Sequence, residues 1–195
     1  MPSAETTAAP AAYTESPFYL QAVAALAAKH AVVAHQDIYC STGMKLVARG
    51  TQLGQEQFER LAQHKLTEPI DRNLASERPI DAASLAIAAD KVLERDSSYS
   101  RLTSRSGDPL AVKHGLAAVR LPQPLLLRMT VMREERPDIF EHSLRTSIIA
   151  YALAQRLRLS ANDREQLLVA ALCHDVGEMH TDPVLLARGH NITPE

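Results

Sequence analysis

The sequence predicts a mainly α protein that carries a small α+β unit with a β-hairpin near its N-terminal end. Three observations lead there. Apolar residues recur at helical spacing in several capped segments. Aromatics are only 4% of the 195 residues and Trp is absent, so Ala and Leu must fill the interior, and both favour helices. One stretch alone, 32–53, is β-prone and punctuated by glycine.

In chain order, residues 1–16 are Ala, Thr, Pro and Ser with little else and read as a disordered tail. Ser16-Pro17 reads as a cap and first turn, opening a helix to about His30. VVAHQDIYC and MKLVARGTQL then flank Ser41-Thr42-Gly43, a hairpin signal. A helix over 55–66 stops at Glu68-Pro69. Residues 81–96 carry an amphipathic stripe of Leu85, Ala88, Ala89, Val92 and Leu93. The Ser- and Arg-rich 96–109 reads as loop.

From Pro122 onward the pattern is helix after helix. One ends near Arg136 and a second opens at Pro137 and reaches about Leu157. A third, 161–173, has a capping-box pattern in Ser160-x-x-Asp163. Asp182-Pro183 opens a short helix that Gly189 should stop, and Thr193-Pro194-Glu195 reads as one more helix start. The expected units are a tail 1–16, an N-terminal regulatory or accessory unit 17–96, a linker 97–114 and a helical unit 115–195.

Composition limits the function classes. There are 21 basic and 23 acidic residues, net charge −2, without the basic surplus of a nucleic-acid binder. Cys40 and Cys173 are far apart, which fits a reducing compartment rather than a disulfide scaffold. No run approaches the ~20 apolar residues that span a bilayer. The expected location is the cytoplasm, with no membrane partner.

The chemistry-bearing residues are His142 and the pair His174-Asp175. His142 shares a helical stripe with Ile149 and Leu153, and His174 follows Leu167 and Ala171, so both imidazoles are expected to face inward. Imidazole plus carboxylate is a ligand set for Mn, Fe, Co, Ni or Zn. Asp138, one turn before His142, could add an oxygen ligand. The competing reading is a pair of hydrogen-bonded core histidines. His180 and His190 read as surface residues, and Cys173 as a buried small residue.

The runs HSLRTSIIAYALAQRLRLS (142–160), LLVAALCHDVG (167–177), DPVLL (182–186) and TPE (193–195) together resemble the first half of an HD-GYP domain, a subgroup of the HD metal-dependent phosphohydrolases. DIYCSTGMKLVARGTQL, 37–53, more weakly resembles the region preceding such domains in some bacterial proteins. The resemblance implies a partial HD-type helical bundle over 115–195, a signal-transduction role and hydrolysis of cyclic di-GMP at a two- or three-metal centre holding Fe, Mn or a similar divalent ion. His142 and His174 would be ligands, Asp175 a bridging ligand central to catalysis, and Asp138 a further carboxylate ligand. The usual H-D-x-G-K lysine is Glu178 here, an anion where substrate phosphate is expected.

The resemblance also implies ligands beyond Glu195, so the chain is expected to be inactive or impaired. Uncovered apolar surface should then drive self-association. Two alternatives stay open: a regulatory or protein-interaction module with a degenerate HD site, and an HD phosphohydrolase acting on another nucleotide.

Overall fold

A computed structural model describes residues 12–105 and 110–186. Helix α1, Pro17–Lys29, is capped by the Ser16 hydroxyl and has Pro at its start, as expected. The segment before it is not a loose tail over its described part. Tyr13 exchanges two backbone hydrogen bonds with Leu66, and the Glu15 side chain is buried.

Strands β1, Val32–Ala34, β2, Ile38–Tyr39, and β3, Lys45–Val47, follow. The hairpin forms between β2 and β3, with Ile38 opposite Val47. Gly43 closes its turn at φ 85°, a left-handed conformation that favours glycine. Strand β1 pairs instead with β4, Leu74–Ser76, antiparallel and far along the chain. Between them helix α2, Gln55–Ala62, stops earlier than its sequence suggests, because Leu66 leaves the helix to bridge Tyr13 and Cys40.

Helix α3, Ala82–Arg95, starts where Asp81 accepts from the Ser84 amide at 2.7 Å while the Ser84 hydroxyl accepts from the Asp81 amide at 2.9 Å. The stretch 97–114, read from sequence as a linker, is largely helical over its described residues. It holds α4, Ser97–Arg105, and the start of α5, Ala111–Ala118. Asp96 initiates α4 by accepting from the Ser98 amide at 2.8 Å. Packing then holds a segment of weak propensity: α4 lies on α3 and α7, with Thr103 buried.

Helix α6, Gln123–Glu135, is the central element. Leu127, Met129, Val131 and Met132 lie on several of its faces and all are buried, the mark of a helix surrounded by protein. It packs on α1, on β4, on the 3₁₀ turn Ile70–Arg72 and on α7, Pro137–Arg156. Its buried Thr130 hydroxyl accepts from the Ile80 amide at 2.8 Å and donates to the Leu126 carbonyl at 2.6 Å, so no polar group is stranded there. One apolar core runs from Tyr19 and Leu26 through Leu74, Leu85 and Met129 to Ile148 and Leu168.

Helix α7 packs along α8, Ala161–Cys173, whose first turn is capped by the Ser160 side chain. A 3₁₀ turn, Val176–His180, and the short α9, Pro183–Leu186, close the described chain. The mainly α architecture is thus as expected, with nine helices and four short strands among the described residues. None of these helices is long and apolar enough to cross a membrane. The expected helix start at 193–195 lies outside the described residues, as do His190 and the stop at Gly189.

Candidate metal centre

His142 projects from the second turn of α7, and His174 sits at the C-terminal end of α8 with Asp175 directly after it. The α7–α8 packing therefore brings three residues from two helices together. One ligand atom from each of His142, His174 and Asp175 lies within 4.8 Å of the others. His142 Nε2 is 3.5 Å from Asp175 Oδ2, and His174 Nε2 is 2.9 Å from the same oxygen. The two rings stand 5.3 Å apart, tilted by 51°.

The orientation of His174 is fixed from behind. Its Nδ1 lies 2.8 Å from the Ala171 carbonyl oxygen, which can only accept. With Nδ1 turned to that carbonyl, Nε2 is the ring nitrogen that faces Asp175 and His142. A backbone carbonyl holding the far ring nitrogen is the usual support of a metal-ligating histidine. Two imidazole nitrogens and one carboxylate oxygen suit a divalent transition ion. Three protein ligands also leave positions open for water or substrate, the pattern of a catalytic rather than a structural ion.

The imidazoles do not face the core as the sequence suggested. The His142 side chain is 61% exposed and that of His174 35%. Ile149 and Leu153, the stripe partners of His142, are exposed with it, as is Leu157 one turn on. The buried face of α7 is the adjacent one, Phe140, Ser143, Leu144, Ser147 and Ile148. The ligand set consequently opens to solvent, where a substrate can reach it.

Asp138 does not join the group. Its carboxylate is held by the Arg136 guanidinium, both contacts at 3.3 Å, and that pairing keeps its carboxyl below the usual carboxylate range. Cys173, beside His174, is half-buried, and burial pushes its thiol up, away from the thiolate needed for ligation.

His180, read from sequence as a surface residue, is half-buried. Its ring stacks on Tyr19 with centroids 4.4 Å apart, and its Nε2 lies 3.6 Å from Glu15. Sequence spacing carries no sign of this contact, since it joins residues from opposite ends of the chain.

Comparison with known proteins agrees with the geometry. A family model described as HD domain matches residues 139–192, a span that contains all three clustered ligands. No curated protein and no solved structure matches the chain. The match spans a little over a quarter of the chain and suggests a metal-dependent phosphohydrolase.

Proposed function

We propose that His142, His174 and Asp175 hold a divalent metal ion and that the protein acts on a phosphate ester. The observation that carries this reading is the convergence of three ligand atoms within 4.8 Å inside the HD domain, with His174 already oriented by the Ala171 carbonyl. When bound, such an ion supplies positive charge to a phosphoryl oxygen and lowers the pKa of water to near neutrality. The chain's own part is to orient two imidazole Nε2 atoms, place one carboxylate between them and leave the open side to substrate.

The finer reading follows the HD-GYP resemblance: a bacterial signalling phosphodiesterase with cyclic di-GMP as its diester and Fe or Mn as its metal. Glu178 stands three residues after Asp175, where the HD-GYP pattern has a lysine, so a cation that would assist phosphate binding is replaced by an anion. Turnover is accordingly expected to be slow. The test measures metal content, then hydrolysis of bis(p-nitrophenyl) phosphate and of cyclic di-GMP by the full chain with Mn²⁺ or Fe²⁺. Metal-dependent turnover that disappears in His174→Ala supports the hydrolase. Absence of both metal binding and turnover refutes it. Cyclic di-GMP cleaved no faster than the aryl diester refutes the finer reading alone.

Two observations favour a second reading, a regulatory module with a degenerate site. Asp138 is engaged by Arg136, and Glu178 stands where a cation is expected. Metal binding without turnover of any phosphoester supports it. The exposed Ile149, Leu153 and Leu157 line one face of α7 and suit self-association, which light scattering would read as a dimer that Leu153→Glu dissociates.

A further inference from the structure

A cavity of about 230 Å³ lies between α1, the corner joining α6 to α7, and the 3₁₀ turn that follows the ligand pair. Helix α1 contributes Phe18, Ala22 and Ala25, the corner contributes Glu135 and Arg136, and the turn contributes Glu178. Most of this wall is apolar side chain, and three charged groups stand on it.

Two of those charges are already matched. Glu135 is paired with Lys29 at 2.9 Å, and Arg136 spans the Asp138 carboxylate. The Glu178 carboxylate makes no hydrogen bond or ion pair with any described residue. Among the described residues the cavity therefore holds one negative charge without a partner, against an apolar wall. A carboxylate accepts hydrogen bonds and donates none, so its complement is an N–H group, best a charged one.

The chain connects the cavity wall to the ligand cluster, although none of His142, His174 and Asp175 lines the cavity itself. Glu178 follows Asp175 by three residues, and its amide donates to the Asp175 carbonyl at 2.9 Å within the turn. Arg136 grips Asp138, one helical turn before His142. The far wall is fixed by α1, which is pinned to the same turn through Ser16 and Tyr19 against His180.

We infer that this cavity binds the organic group of the phosphoester and selects one that presents N–H donors on an apolar body, an aryl or alkyl amine. Glu178 receives the ammonium, while Phe18, Ala22 and Ala25 pack against the hydrocarbon. The residue that stands in place of the lysine thus serves recognition of the organic end of the molecule. The N-terminal helix becomes part of the specificity site. The catalytic half of this inference rests on the hydrolase reading, but the binding half does not.

The test uses the full chain. Calorimetry on metal-free protein compares tyramine with 4-ethylphenol, which keeps the aryl body and lacks the amine. Tyramine is expected to bind about tenfold tighter, with the advantage lost in Glu178→Gln. Ala22→Trp, which fills the cavity, and Phe18→Ala, which removes a wall, should each weaken both ligands. Equal affinity for the two ligands, or an advantage that survives in Glu178→Gln, overturns the inference.

With Mn²⁺ present, kcat/KM for O-phosphotyramine over 4-ethylphenyl phosphate should show the same preference and lose it in Glu178→Gln. Hydrolysis without discrimination overturns the inference and leaves the hydrolase standing. Glu178-dependent tyramine binding with no hydrolysis supports the binding half of the inference and overturns its catalytic half.

Discussion

The Ser16 hydroxyl donates a 2.8 Å hydrogen bond to the backbone carbonyl of His180, joining positions 164 residues apart. The same oxygen accepts from the Tyr19 amide at the start of α1. One side chain thus caps the N-terminal helix and ties it to the turn that follows His174 and Asp175. Ser16→Ala should lose both roles, costing about 1–2 kcal/mol. For a protein of this size that is a fall in Tm of about 3–6 °C. An unchanged melting temperature would show that the tie contributes nothing.

Metal should stabilise the fold through the three clustered ligands. A divalent ion at 100 times its Kd adds about 2.7 kcal/mol if it binds only the folded chain. Thermal melts with and without chelator should differ accordingly, and His142→Ala or His174→Ala should erase the difference. Both side chains are substantially exposed, so each variant should match wild type within about 0.5 kcal/mol in chelator. A variant that keeps the metal-dependent shift would exclude that histidine as a ligand.

The helices whose ends are written in local chemistry were legible in the sequence. Ser16-Pro17, Asp81, Arg136-Pro137 and Ser160 mark the starts of α1, α3, α7 and α8 within a residue. Helix α4 was not, because its Ser- and Arg-rich sequence has little propensity and only packing on α3 and α7 holds it. The β1–β4 pairing is non-local, so no turn signal announces it. On α7 the periodicity misled for a definite reason. Its core face includes Ser143 and Ser147, both fully buried, while Ile149 and Leu153 lie outside. Apolar residues on both faces leave a hydrophobic pattern unable to choose. At the candidate site the order His142, His174, Asp175 could be read, but the capture of Asp138 by Arg136 depends on side-chain geometry across a helix start.

The ion pair of Asp71 with Arg128 binds the turn Ile70–Arg72 to the central helix α6. Asp71 is 1% exposed, whereas Arg128 keeps a quarter of its side chain in solvent. Arg128→Met strands a buried carboxylate and should cost about 3–5 kcal/mol by urea denaturation. Adding Asp71→Asn to that variant removes the stranded charge and should recover much of the loss. A double variant no more stable than Arg128→Met alone would place the cost in packing rather than in the uncompensated charge.

Acidification should loosen the contact between α1 and the turn 176–180 through His180. Burial, with the Arg128 cation nearby, holds the imidazole below its ordinary 6.5. The folded state therefore binds the proton less readily than the unfolded chain. The resulting stabilisation is complete above pH 6.5 and is lost as pH falls through the lowered folded value. Glu15 acts oppositely: burial raises its carboxyl above 4.5, so folding favours its protonated form, and its contribution to stability grows as pH falls toward 4.5. His180→Phe keeps an aromatic ring on Tyr19 and cannot titrate. Its stability should fall less than wild type between pH 7.5 and 5.5, and Glu15→Gln should remove the opposing rise. Parallel pH profiles for wild type and His180→Phe, measured by urea midpoint, would show that His180 titrates alike in both states.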